Sequence, residues 1–308
     1  GFRLSTGSDD YPSSGWSTLS DAFRRDPISL DRAYINVMPR KNLELRFGFN
    51  SNPLFRPTEL VWDGDVSPGG LAQVLRLEKV ELVAGQFMLQ EVRDLRGPRL
   101  ENSFLFAHGL TYTEGGPFNL KVGAFNYVYA NPNAIATALD RAELNSDFQT
   151  NRFQPGDPGA FFSDYNILGG SISLARDRLG LVAELALNLG AESDSGLGPA
   201  FESKENFAAG VLGTYGQVNR PWDWSLSAGF FHIEADAVIA SYNSDDLQQT
   251  NVNSVPLFFR LRLPGGANLV WDTYLQKKID DNLASNGGVI HDENAIKVRT
   301  RVTLQANF

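Results

Sequence analysis

A chain of 308 residues without a single cysteine has no disulfide framework, thiolate metal site or cysteine nucleophile to draw on. Its net charge of −9, from 36 Asp and Glu against 27 Lys and Arg, argues against a general binder of nucleic acid or of anionic membrane surfaces. The longest stretch free of acidic and basic residues, Val122 to Leu139, carries Asn126, Asn131, Pro132 and Asn133 and cannot be a transmembrane helix. The 29 glycines and 21 phenylalanines point instead to strands and turns, and a mean hydropathy of −0.23 suits a soluble protein and an alternating barrel wall equally.

The chain opens at Gly1, already in a strand (Phe2 and Leu4 against Arg3 and Ser5), with neither an initiator methionine nor a signal peptide, so a segment upstream is expected to have been removed or to be missing. A polar loop, Asp9 to Pro27, follows, then a tight turn at Pro39 to Asn42. Leu43, Leu45, Phe47 and Phe49 next alternate with Glu44, Arg46, Gly48 and Asn50. The loop Pro53 to Gly70 reads PLFRPTELVWDGDVSPGG. A turn near Glu78 and Lys79 and another at Glu114 to Pro117 precede the longest loop, Ala130 to Asp164. After a turn at Arg176 to Arg178, Leu181, Ala183, Leu185, Leu187 and Leu189 alternate with Val182, Glu184, Ala186 and Asn188. Loops at Ser193 to Lys204, Ser241 to Asn251 and Asp280 to Glu293 alternate with turns at Asn219 to Pro221 and Pro264 to Gly266. Between these, Leu257, Phe259, Leu261 and Leu263 oppose Phe258, Arg260 and Arg262. The last segment sets Ile296, Val298, Thr300, Val302, Leu304, Ala306 and Phe308 on one face and Lys297, Arg299, Arg301, Thr303, Gln305 and Asn307 on the other.

Segments of about ten residues with one apolar and one polar flank are long enough to cross a bilayer as tilted strands. The short-turn, long-loop rhythm is that of a transmembrane antiparallel up-and-down β-barrel, all-β and a single domain over 1–308, with about fourteen strands in this chain. The inward face then holds Arg3, Arg46, Arg76, Arg260, Arg262, Lys297, Arg299 and Arg301. They lie on the first and last strands, which become neighbours when a barrel closes, and so are expected to line the pore as a basic wall. Glu59, Asp63 and Asp65, from a candidate constriction loop, would fold inward opposite it and set a transverse field. The alternatives are that these cations pair with inward carboxylates such as Glu44, Glu184 and Asp272, and that Ala130 to Asp164 supplies the constriction instead. Asp63 and Asp65 offer oxygens to calcium, although an Asp-Gly turn needs no metal. His108, His232 and His291 are too scattered for a metal site. No phosphate-cradling or nucleophile-elbow motif is present, and a Ser/His/Asp set assembled on the rim is a minor alternative.

Several segments resemble the bacterial "putative porin" outer-membrane proteins: Gly1-Phe2-Arg3-Leu4-Ser5-Thr6-Gly7-Ser8, Leu30-Asp31-Arg32-Ala33-Tyr34-Ile35, Asn52-Pro53, Leu60-Val61-Trp62-Asp63-Gly64-Asp65 and Pro68-Gly69-Gly70-Leu71-Ala72. Val302-Thr303-Leu304-Gln305-Ala306-Asn307-Phe308 looks like the C-terminal assembly signal of such proteins, with Phe308 the residue read by the barrel-assembly machinery. The resemblance implies passive diffusion of ions and small polar solutes through a water-filled channel in a Gram-negative outer membrane, no enzymatic cofactor, contact with outer-membrane lipids, and the homotrimer common in the family; with the charge balance, no nucleic-acid partner is expected. It also implies a hairpin before the segment matching Gly1, and often a periplasmic anchor. That brings the strand count to about sixteen in the complete protein, and the hairpin would interrupt the basic wall. The rival readings are a soluble all-β binding or structural protein, a barrel enzyme, and a barrel with an envelope-anchoring or scaffolding role and a blocked lumen.

Overall fold

The computed structural model describes residues 1–6, 28–90, 102–140, 150–244, 246, 247, 249–280, 283 and 295–305, the side chains of 3–6 and 28–30 excepted. Fourteen strands pair in chain order into one antiparallel sheet: β1 (Phe2–Thr6), β2 (Ile28–Arg40), β3 (Leu43–Phe49), β4 (Gly69–Leu77), β5 (Val80–Gln90), β6 (Ser103–Glu114), β7 (Asn119–Ala130), β10 (Asn166–Arg176), β11 (Leu179–Asn188), β12 (Phe207–Gly216), β13 (Trp224–Ile233), β14 (Val252–Arg262), β15 (Asn268–Lys278) and β16 (Lys297–Gln305). Between β7 and β10 lie helix α1 (Asn133–Asp140) and the small hairpin of β8 (Phe153–Gln154) and β9 (Asp157–Phe161). Each wall strand pairs with its sequence neighbours, the up-and-down topology, and among the described residues no ladder joins β1 to β16.

Short turns fall at one end of the sheet and long connections at the other. Three of the turns, after β2, β4 and β10, are two residues long, and in the latter two the first residues, Glu78 (φ 41°) and Asp177 (φ 51°), adopt the left-handed backbone that tight hairpins favour. Side chains alternate across the wall with period 2. On β11, Leu181, Leu185 and Leu187 are exposed outward while Glu184, Ala186 and Asn188 are buried inward.

The outward face is graded along the strands. Exposed aromatics gather toward the turn end (Tyr112, Tyr215, Trp222, Trp224, Trp271) and again toward the loop end (Phe49, Phe104, Phe207, Phe230), with Leu110, Ile172, Leu185, Val211 and Leu226 between them. Phe207 and Tyr215 on β12 are about 27 Å apart along the strand. A tilt of about 40° reduces that to roughly 20 Å, close to the height of the apolar band of a membrane barrel flanked by aromatic girdles.

The inward face departs from the expectation of a uniformly hydrophilic lining. Its loop-side half is apolar, because, among the described residues, three connections fold inside the wall. Leu54, Leu60, Val61, Trp62 and Val66 of the β3–β4 loop, Ile135 and Leu139 of α1, and Val238, Ile239 and Tyr242 of the β13–β14 loop form one core with Leu105, Tyr127, Ile167, Ala186, Phe231 and Ile233 of the wall. Gly169 and Gly210 make room for this core: a Cβ on either would run into the ring of Phe125 or Phe231 respectively. Charge collects in the turn-side half.

Candidate functional site

The β3–β4 loop is held across the interior by Trp62, whose ring stacks between Tyr127 of β7 (centroids 6.1 Å apart) and Tyr242 of the β13–β14 loop (5.3 Å), each at an interplanar angle of 7°. Its Nε1 donates to the Val66 carbonyl (3.2 Å), and Arg56 caps the Trp62 carbonyl (2.7 Å). Asp63 N donates to the Tyr242 carbonyl at 2.7 Å, so the two loops share backbone as well as ring contacts. Thr58 Oγ1 donates to Glu184 on the opposite wall at 2.7 Å. The loop sequence folds this way because Leu60-Val61-Trp62 is an apolar run that water would penalise, while its polar neighbours each reach a partner.

Below this plug lies a cavity of about 740 Å³, lined by Pro53 to Glu59 and Asp63 to Asp65 of the β3–β4 loop, by Asp246 of the β13–β14 loop, and by Glu81, Lys121, Arg260, Asp272, Tyr274 and Arg301 of the wall. Glu59 accepts from Gly64 N and Ser244 Oγ, both at 3.2 Å, and burial nevertheless holds its carboxyl above the usual range, with Asp246 adding like charge. Asp63 Oδ1 accepts from Asp65 N at 2.7 Å, which closes the Asp-Gly turn. Among the described residues no group of three His, Asp or Glu is placed to hold a metal ion.

Those of the expected basic residues that are described form a cluster on β3–β5 and another on β14–β16. On β3–β5, Arg46 donates to Glu44 (2.9 Å), and Arg76 bridges Glu44 (2.9 Å) and Glu81 (3.0 Å). On β14–β16, Arg301 pairs with Asp272 (3.2 Å) and Asp246 (2.9 Å), Arg299 pairs with Asp246 (2.9 Å), and Arg262 donates to Asn268 (3.1 Å). Arg260 is exposed into the cavity, and Lys297 sits on β16 opposite Gln276. Each cluster carries its own carboxylates: Glu44 and Asp272, named from the sequence, take Arg partners, whereas Glu184 takes Thr58. The side chain of Arg3, the residue Phe308, His291 and the loop 7–27 lie outside the described residues, as does most of the loop Asp280 to Glu293.

Two features escaped sequence reasoning. Asp246 sits in what reads as one more polar loop, and only the neighbouring run Ala237-Val238-Ile239-Ala240 signals that the loop turns inward. Arg152, after α1, is fully buried: Nε donates to Asp236 (2.8 Å), Nη1 to the Ser203 carbonyl (2.8 Å) and Nη2 to the carbonyls of Glu192 and Lys204 (2.9 Å each), with the Phe162 ring 4.9 Å from the guanidinium.

The profile of the family described as "Putative porin" matches residues 1–155, half of the 308. Among solved structures the chain is similar to OccD3 (OpdP) of Pseudomonas aeruginosa (11% identity, 84% of this chain and 75% of that one, TM-score 0.39) and OccAB1 of Acinetobacter baumannii (12%, 85% and 73%, 0.41). A doubly substituted OccD1 (OprD) is similar at 9% identity (92% and 78%, 0.42). A search of curated proteins finds no match. With a fourteen-stranded antiparallel wall, an apolar outer face and a charged interior, and a profile match over half its length, this chain belongs to the porin family described as "Putative porin".

Proposed function

We propose that this porin passes ions and small polar solutes by passive diffusion across an outer membrane, with no enzymatic step, and that the wall strands form one barrel domain over 1–308. The observation that carries the reading is the 740 Å³ cavity inside the wall, ringed by Lys121, Arg260 and Arg301 on the one hand and Glu59, Asp65, Asp246 and Asp272 on the other. Charged groups of both signs in a confined aqueous space replace part of a solute's hydration while the apolar outer face meets lipid. Open strand edges are not stable in hydrocarbon, so the outer edges of β1 and β16 must be satisfied by pairing, directly or through further strands. Contact with outer-membrane lipids, insertion by the barrel-assembly machinery through a signal ending at Phe308, and assembly as a homotrimer belong to the same reading. So does the role of Arg3, Arg46, Arg76, Arg262, Lys297 and Arg299 as further pore-lining cations, and of Glu59, Asp63 and Asp65 as the acidic side of the constriction.

The apolar plug favours a second reading, in which the lumen is blocked and the barrel anchors or scaffolds the envelope. Swelling of liposomes that carry the protein separates the two: a porin admits arabinose and excludes raffinose on a size-graded scale, whereas a blocked barrel leaves both outside.

A further inference from the structure

Asp246 is the one carboxylate that a loop delivers against the β16 arginines among the described residues. Its Oδ1 lies 2.9 Å from Arg299 Nη2 and its Oδ2 2.9 Å from Arg301 Nη2, with the Tyr274 hydroxyl at 3.3 Å. The residue is pinned from behind, since Gln276 Nε2, wholly buried on β15, donates to the Asp246 carbonyl at 2.7 Å. The wall therefore fixes the Asp246 backbone, while its carboxylate is held by the arginines and Tyr274. Asp272, by contrast, is part of the wall itself and reaches Arg301 alone, at 3.2 Å.

Two guanidinium groups two residues apart on one strand face form a site for an anion, and here a side chain of the protein fills it. Because the group comes from a loop and not from the barrel wall, it can leave without disturbing a strand ladder. From this geometry we infer that Asp246 is a tethered counter-ion: it occupies the position an entering anion would take beside Arg299 and Arg301, and thereby sets the charge preference of the channel. The inference rests on the diffusion-channel reading above and names the residue that tunes it. A cation approaching the cavity meets a pair whose two charges are balanced by Asp246 and Asp272 together, and an anion must displace Asp246 before it can bridge Arg299 and Arg301. The nearby acids act in the same direction but from farther off, Glu59 being joined to this loop through Ser244.

The test is the chloride-to-potassium permeability ratio, from reversal potentials of single channels in a potassium chloride gradient, for the full-length protein and three variants. Asp246→Asn keeps the shape and removes the charge, and is expected to raise the ratio at least about fivefold, the factor by which one unit charge at about 4 Å in water shifts the occupancy of either ion alone. Asp246→Glu restores the wild-type ratio. Arg299→Gln moves the ratio in the opposite direction, a change of sign that loosened packing would not produce. A conducting Asp246→Asn channel with an unchanged ratio overturns the assignment and leaves the channel reading standing. A wild-type protein that folds and inserts but passes no current overturns both.

Discussion

Arg152 Nε donates to Asp236 Oδ2 at 2.8 Å, and both side chains are buried, 1% and 0% exposed. The two residues lie 84 positions apart, one following α1 and the other following β13, and the same guanidinium also holds carbonyls of the β11–β12 loop. Three loop-side connections are thus fastened at a single ion pair. Removing Arg152 leaves Asp236 buried with Ser163 as its remaining side-chain partner. Arg152→Met is expected to lower stability by about 3–5 kcal/mol, the usual cost of stranding one member of a buried pair. The check is the temperature at which the folded electrophoretic form converts to the unfolded one, together with open-channel noise, which should rise as the loops lose their tether.

Trp62 ties the β3–β4 loop to the wall and to the β13–β14 loop by stacking with Tyr127 and Tyr242. Trp62→Ala is expected to cost about 3–5 kcal/mol, as for a buried aromatic truncated in a core that collapses only partly. It should also raise single-channel conductance, because the plug loses the side chain that joins its two loops. Conductance at or below the wild-type value in a folded variant would place the restriction elsewhere.

The fold was legible because its two faces meet different solvents, and that difference is written every second residue. Leu181, Leu185 and Leu187 had to face one way and Glu184 and Asn188 the other, which fixes strand, face and turn position together. The interior was not legible in the same way. Leu60-Val61-Trp62 and Ala237-Val238-Ile239-Ala240 announce burial without announcing a partner, and so the apolar packing of the loop-side interior did not follow from alternation. The site fared similarly: the arginines of β14 and β16 were visible from their strand positions, but Asp246 meets Arg301 across 55 residues, a pairing that no local pattern encodes.

Leu185 projects from β11 between the two aromatic zones, nearer the loop-end one, and half its surface is exposed. Leu185→Arg is expected to reduce folding stability in lipid by about 1–3 kcal/mol, between the cost of a cation at the bilayer midplane and that near the interface. Leu185→Phe should be close to neutral. Urea titration of both variants in lipid vesicles reads the difference, and equal stabilities would mean that this face does not meet hydrocarbon.

Burial, opposed by hydrogen bonds from Gly64 and Ser244, raises the Glu59 carboxyl above the ordinary glutamate range. As pH falls from neutrality, Glu59 therefore accepts its proton before a free glutamate would. Each proton removes one negative charge from the cavity, so anion permeability relative to cation permeability should increase, with a midpoint above the usual carboxylate values. Glu59→Gln should remove that step from the pH profile of selectivity while leaving conductance at neutral pH of the same order.

Ion current through the purified protein in a planar lipid bilayer bears on the whole account most directly. A hydrated passage lined by Arg260, Arg301, Asp246 and Glu59 predicts discrete, ohmic current steps whose size rises in proportion to the conductivity of the bathing salt. Folded protein, shown by its heat-modifiable mobility to be inserted, that yields no steps across the same range of salt would contradict it.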